Sequence, residues 1–171
     1  MTPLRLTVRY TSPTDPAARP LVDGLTQEYR SRYGPNEEMS RYPAAEFAPP
    51  HGAFLLLLKP DDTAVAGGAF RRYDRETAEI KRVWTHPEHR RQGLARRVIR
   101  ELEAEATRRG YRRIWLTTGP RQPEAESLYL NLGYHPQYDL DAGRATLPYL
   151  PFETYLPFET YPDPCGPLPR P

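Results

Sequence analysis

Glu79-Ile80-Lys81-Arg82-Val83-Trp84-Thr85-His86-Pro87-Glu88-His89-Arg90-Arg91-Gln92-Gly93-Leu94-Ala95 is the stretch on which the fold depends. Its first part sets apolar residues among charged ones and predicts a strand from Ala78 to Thr85. The residues that follow have apolar positions at helical spacing, which predicts an amphipathic helix from Gly93 to Arg109. The stretch is therefore a strand, a basic loop from Arg90 to Ala95, and a helix.

The basic loop has the composition of a phosphate-binding loop. The first N–H groups of a helix have no intrahelical acceptor, and together with the helix dipole they attract anions. Gly93 lets a bulky anion approach the backbone, and Arg90 and Arg91 supply charge for a pyrophosphate. Taken alone, these residues also fit a solvated turn that caps the helix. The flanking segments have to decide between the two interpretations.

The chain before this stretch predicts one strand, one helix and a hairpin. Alternating apolar residues predict the strand from Leu4 to Tyr10, and helical spacing predicts the helix from Ala17 to Tyr33. Two further strands, Ala53 to Lys59 and Ala64 to Tyr73, flank the turn Pro60-Asp61-Asp62. The pattern indicates a sheet that begins with antiparallel strands.

After the helix the chain predicts a strand, a helix and a last extended segment. The strand is Ile114 to Thr118, the helix runs from Pro123 to Leu132, and the chain is extended again from Tyr134. A strand, a crossover helix and a second strand favour one parallel pair in the middle of the sheet. The fold class predicted is α/β.

A tandem repeat follows near the C-terminus. Leu150 to Tyr155 reads LPFETY and is followed at once by an identical copy, Leu156 to Tyr161. Because six is even, exchanging one copy for the other keeps each side chain on the same face of a sheet, so either copy is a candidate for the last strand. We expect one domain over residues 1–161 and a proline-rich tail over residues 162–171.

Composition restricts the class of protein. The chain has 171 residues, 38% of them hydrophobic, and a net charge of +2, which suits one globular domain and argues against a nucleic-acid partner. Its longest apolar run, Ala53 to Leu58, is too short to span a membrane, and the first residues contain no secretory signal. Cys165 is the only cysteine and has no partner for an intramolecular disulfide. We therefore expect a cytoplasmic protein without a membrane association.

Three segments in order resemble the GNAT (Gcn5-related) N-acetyltransferase family. Arg90-x-x-Gly93-x-Ala95 resembles its acetyl-CoA motif, with alanine in place of the commoner final glycine. Glu79 to Thr85 looks like its central strand, and Glu124 to Tyr134 like its later helix and turn. The resemblance covers about residues 53–140. It implies a GNAT fold, with a central mixed, mostly antiparallel sheet whose central strands splay apart between flanking helices.

The resemblance also implies a cofactor site and two catalytic groups. Acetyl-CoA would be the co-substrate, with no metal. Main-chain groups of Val83 and Thr85 would bond its pantetheine arm, and the pyrophosphate would lie against Arg90, Arg91, Gln92, Gly93, Leu94, Ala95 and Arg96. Tyr129 matches the tyrosine that protonates the leaving thiolate, and Glu79 matches a carboxylate that deprotonates the amine. As residues alone, Tyr129 is also a candidate core aromatic, and Glu79 a solvated charge or a partner of Lys81.

The implied activity is direct acetyl transfer to a primary amine of a small molecule, an amino acid or a peptide. Its pocket would be formed by residues 28–42 and 134–161, and the acceptor itself is not identified by the sequence. Family members often form homodimers. Two alternatives remain: a non-catalytic acetyl-CoA-binding regulatory domain in which Tyr129 is structural, and an interaction domain that uses Leu150 to Tyr161.

Overall fold

A computed structural model describes residues 3–141 and 146–157. The strands in chain order are β1 Thr7–Tyr10, β2 Ala53–Leu58, β3 Ala64–Arg72, β4 Thr77–Thr85, β5 Arg113–Thr118, β6 His135–Pro136 and β7 Leu150–Tyr155. The α-helices are α1 Arg19–Tyr33, α2 Leu94–Arg108 and α3 Pro123–Asn131. Single 3-10 turns lie at Pro16–Ala18, Ala44–Phe47 and Pro87–His89. Within the described ranges, no helix has both the length and the apolar character needed to cross a bilayer.

Most element boundaries lie within one residue of those the sequence predicts, and three elements differ by more. The first strand begins at Thr7 rather than Leu4, and Leu4 is 43% exposed. The helix predicted from Ala17 starts at Arg19, because Asp15 caps a 3-10 turn there instead. The extended segment after Tyr134 contains a strand of only two residues, His135–Pro136. These differences lie at element ends, where local propensity is weakest.

The strands form one sheet in the order β1-β2-β3-β4-β5-β7-β6. Every described pair is antiparallel except β4 with β5. The parallel ladder has only three residue pairs, Thr77 to Glu79 against Arg113 to Trp115. Beyond Glu79 the two strands are no longer paired. The predicted α/β fold, with a mostly antiparallel mixed sheet that splays in its centre, is confirmed.

Two adjacent glycines in β3 let helices pack closely on both faces of the sheet. A Cβ on Gly67 would lie 2.7 Å from the Cδ1 atom of Leu21 in α1. On the other face, a Cβ on Gly68 would lie 2.8 Å from the Cγ1 atom of Val98 in α2. Both distances are shorter than van der Waals contact. The Gly67-Gly68 pair therefore sets how closely α1 and α2 approach the sheet.

A β-bulge lies on β4 immediately after its parallel segment. In the β3–β4 ladder, Gly67 pairs with Trp84 and Ala69 pairs with Lys81, so Gly68 faces both Arg82 and Val83. Arg82 has a φ of 59°, in the left-handed region. A bulge bends its strand and increases the local twist. The bulge thus accompanies the separation of β4 from β5.

The first copy of the tandem repeat forms β7, between β5 and β6. The residue that follows explains the choice: Leu156 is 8% exposed and donates its N–H to the carbonyl oxygen of Arg112 at 2.9 Å. A shift by six residues would place Pro162 there, and proline has no N–H. Residues 158–161 of the second copy and the predicted tail over 162–171 lie outside the described residues.

Candidate functional site

A cleft of about 1490 Å³ opens where β4 and β5 separate. Residues from α1, β4, the loop before α2, β5 and α3 line it. Among the residues that the sequence assigns to cofactor binding or catalysis, only Gln92 lies outside this lining. The others lie together in the one cleft: Glu79, Val83, Thr85, Arg90, Arg91, Gly93, Leu94, Ala95, Arg96 and Tyr129.

The loop before α2 leaves backbone amides available at the cleft. Gly93 is the N-cap of α2 with a φ of 75°, and no side chain of the described chain caps the helix there. The first helical bond runs from the N–H of Arg97 to the carbonyl of Gly93 at 3.0 Å. The amides of residues 94–96 precede that bond and therefore lack intrahelical acceptors. The loop fits an anionic phosphate group.

The space beside the loop is open. A Cβ on Gly93 would meet no heavy atom of the described chain within 4 Å. Arg91 also has a positive φ, 61°, a conformation that costs free energy in any residue other than glycine. Such strain is typical of functional loops, where it orients backbone groups. The loop thus combines free amides, basic side chains and room for a ligand.

Among the residues that the structure describes, the edge of β4 that faces β5 has no strand partner beyond Glu79. Val83 and Thr85 lie on this part of β4, and both line the cleft. An extended ligand with amide groups can pair with such an edge in the way an added strand does. Of the two positions, Val83 lies in the bulge and Thr85 ends the strand.

Tyr129 lies on α3 with its ring in the core and part of its surface in the cleft. It is 6% exposed, and its ring centroid is 5.6 Å from that of Tyr134 and 5.7 Å from that of Phe152. Burial raises the pKa of its hydroxyl above the ordinary value of 10.0, so the group remains protonated at neutral pH. Tyr129 is thus a packing residue that also lines the cleft and keeps its hydroxyl protonated at neutral pH.

Glu79 is buried and paired. It is 5% exposed, its Oε1 accepts a hydrogen bond from Nη1 of Arg71 at 2.9 Å, and its Oε2 lies 3.9 Å from Nζ of Lys81. Arg71 also bonds Glu46, and Lys81 lies 3.4 Å from Glu38. The hypothesis of a solvated charge is therefore wrong, and the hypothesis of a Lys81 partner is confirmed. The ion pair of Arg71 with Glu79 was not predicted from the sequence. It depends on the register of β3 against β4, which places the two residues opposite each other.

Arg82, which sequence analysis treated only as part of a strand, joins the bulge to the segment after α1. Its Nη2 donates to the carbonyl oxygens of Met39 at 2.8 Å and Tyr42 at 3.5 Å, and its guanidinium lies 4.6 Å from the ring centroid of Phe47. Burial lowers its pKa. An arginine among charged neighbours in a strand resembles a solvated residue, so the sequence contains no signal for this role.

Replacing Arg82 by methionine should lower the free energy of unfolding by about 1–3 kcal/mol, because two carbonyl oxygens lose a charged donor. Chemical denaturation measures this loss. Replacing the exposed Arg75 by methionine is the control, with an expected change below about 0.5 kcal/mol. Equal stabilities of the two variants would contradict the role of Arg82.

A second set of contacts joins the two walls of the cleft. Nη1 of Arg32 donates to the carbonyl of Arg121 at 2.7 Å, and Nη1 of Arg121 donates to the carbonyl of Arg32 at 2.8 Å. The N–H of Arg121 also donates to the hydroxyl of Tyr33 at 3.3 Å. A Cβ on Gly119 would overlap that hydroxyl. The C-terminal end of α1 is thus bound to the loop that follows β5.

Comparison with known proteins gives one family match and several structural matches. The model of the acetyltransferase (GNAT) family matches residues 22–134. The uncharacterized N-acetyltransferase YsnE of Bacillus subtilis is 35% identical over 75 residues, which span 43% of this chain and half the length of that relative.

Two solved structures resemble the fold over most of both chains. A Klebsiella pneumoniae protein assigned as an acyl-CoA N-acyltransferase has a TM-score of 0.70 and 26% identity, over 88% of this chain and 97% of its own. An acetyltransferase of Thermus thermophilus has a TM-score of 0.68 and 20% identity, over 91% of this chain and 100% of its own. The family match includes β4, the loop, α2 and α3. The chain therefore belongs to the acetyltransferase (GNAT) family.

Proposed function

We propose that the protein transfers an acetyl group from acetyl-CoA directly to a primary amine of a small molecule, an amino acid or a peptide. The main support is that one cleft contains the loop with free amides, the unpaired edge of β4 and the hydroxyl-bearing Tyr129. Family membership supports the same donor. No acyl-enzyme step is needed, because the amine can attack the thioester itself.

The donor would bind along β4 and end at the loop. Backbone amides at the start of α2 would hold the pyrophosphate, with Arg90, Arg91 and Arg96 in the same lining as its counter-charges. Main-chain groups of Val83 and Thr85 would bond the pantetheine arm at the free edge of β4. This arrangement uses the backbone more than side chains.

Two side chains would move the protons of the reaction. Acetyl-CoA supplies an acetyl group activated as a thioester. Glu79 would accept a proton from the amine, directly or through a water molecule, so that a new C–N bond forms from a neutral nitrogen. Tyr129 would donate its proton to the sulfur as the C–S bond breaks, and its raised pKa means that the hydroxyl is protonated at neutral pH before the reaction. Arg71 and Lys81 would keep the Glu79 carboxylate in position.

Replacing Glu79 by glutamine should reduce kcat/KM for the amine about 100-fold, because the proton acceptor is lost while a similar side-chain shape remains. Steady-state kinetics at saturating acetyl-CoA would measure this. Glu126→Gln is a matched control, since Glu126 is equally buried at 5% exposure, accepts a hydrogen bond from Tyr138 and lies outside the cleft lining. A rate for Glu79→Gln equal to that of the control would assign Glu79 to structure alone.

A direct test of the function measures free thiol released from acetyl-CoA with a panel of primary amines, with mass spectrometry to identify the acetylated product. We expect release that depends on both substrates. Thermal stabilisation by acetyl-CoA without any acetylated amine would instead favour the non-catalytic regulatory domain. If acetyl-CoA caused no thermal stabilisation and no thiol were released, the assignment of acetyl-CoA as the donor would be contradicted.

A further inference from the structure

Large aromatic side chains lie exposed along the cleft. Tyr73 and Tyr149 are 53% and 54% exposed, and both line the cleft together with Trp115. The ring centroids of Tyr73 and Trp115 are 5.9 Å apart, with an interplanar angle of 33°. Exposed aromatic groups collected in a concave site are typical of ligand contact.

The charged groups around Glu79 in the cleft are already paired with one another. Arg71 bonds both Glu46 and Glu79, and Lys81 lies between Glu38 and Glu79. An acceptor with several charges would have to displace these pairs and would leave buried charges without partners. The aromatic faces of the cleft are available to a ligand without that cost.

The position of Trp115 relates these aromatic groups to the reacting centre. Trp115 is the direct partner of Glu79 in the parallel ladder, so the two side chains leave the sheet on the same face. Neighbouring strands lie about 5 Å apart. A ligand ring on Trp115 would therefore be one strand spacing from the strand that carries Glu79, a distance that a short carbon chain spans.

We propose that the acceptor is a primary amine joined to an aromatic ring by a short carbon chain, and that Trp115 and Tyr73 determine this specificity. The proposal rests on the proposed function, because it concerns the acceptor of the same acetyl transfer. The bonds made and broken are unchanged: C–N forms, C–S breaks, and the amine proton leaves to Glu79. Stacking of the acceptor ring on Trp115 and Tyr73 sets the amine beside that carboxylate.

The experiment compares 2-phenylethylamine with 2-cyclohexylethylamine, which has the same chain and a ring of similar size without a π face. We expect kcat/KM to favour the aromatic amine about tenfold, the size of one aromatic contact. 1,4-Diaminobutane, which is charged at both ends, should be poorer than either. Equal kcat/KM for the two ring amines would overturn the proposal.

Variants locate the contact. Trp115→Leu should remove the preference for the aromatic amine and leave the KM for acetyl-CoA unchanged. Tyr73→Leu changes a more exposed position and should reduce the same preference, so it tests the proposal even if Trp115→Leu fails to fold. Tyr10→Leu is the control, because Tyr10 is exposed on β1, the strand at one edge of the sheet, and does not line the cleft. A preference retained in both cleft variants would overturn the proposal.

Calorimetric titration of the two ring amines in the presence of CoA gives a result that does not depend on turnover. Tighter binding of 2-phenylethylamine supports the acceptor class even if no product forms, whereas equal affinities overturn it. Absence of product with every amine contradicts the proposed function alone. Rapid turnover of aliphatic amines with no aromatic preference contradicts only the acceptor class.

Discussion

Substituting glutamine for Gly93 should reduce the affinity for acetyl-CoA at least about 100-fold, the loss expected when two or more hydrogen bonds to a charged group are blocked. Gly93 has a φ of 75° at the N-cap of α2 and lines the cleft. A side chain there would enter the open space beside the amides at the start of α2. Titration with acetyl-CoA by calorimetry measures the effect.

Gly110→Gln is the control for this substitution. Gly110 lies beyond the other end of α2 and has a φ of 87°, and a Cβ there would also meet no heavy atom within 4 Å in the part of the chain that the structure describes. Both variants therefore incur a similar backbone cost of about 1–2 kcal/mol. Of these two glycines, Gly93 lines the cleft and Gly110 does not. If acetyl-CoA bound the Gly93 variant as tightly as the Gly110 variant, the loop would not be the pyrophosphate site.

Phenylalanine in place of Tyr129 should lower kcat about 100-fold or more, within the range for loss of a general acid, with little change in acetyl-CoA affinity. The ring keeps its packing against Tyr134 and Phe152, so only the proton donor is removed. Pre-steady-state measurement of thiol release separates this step from product dissociation. Because burial raises the pKa of Tyr129, its proton stays available through neutral and moderately alkaline pH and is lost only at higher pH.

Tyr134→Phe is the matched control for Tyr129→Phe. Tyr134 is similarly buried, its hydroxyl donates to Glu103 at 2.9 Å, and it is not part of the cleft lining. Its loss should reduce stability and leave kcat within about twofold. A Tyr129→Phe enzyme with normal kcat would limit Tyr129 to packing, as the alternative hypothesis of a core aromatic states.

Most of the fold was predictable because its signals are local. The apolar stripe of α2, the turn between β2 and β3 and the glycine after α2 each depend on residues within a few positions of one another. The loop from Arg90 to Ala95 is also continuous, so its motif was visible before its geometry. Element ends and the choice between the two LPFETY copies were not predictable, since they depend on contacts such as that of Leu156 with Arg112.

The sequence by itself determined the α/β class, the order of the elements and the place of the loop beside Gly93. Only the tertiary structure decided which groups surround Glu79, that Arg82 holds the segment after α1, and that Trp115 is the ladder partner of Glu79. The physical reason is separation along the chain. Arg32 and Arg121, for example, are 89 residues apart, and the side chain of each donates a hydrogen bond to the main-chain carbonyl of the other. The sequence around either residue does not indicate that contact.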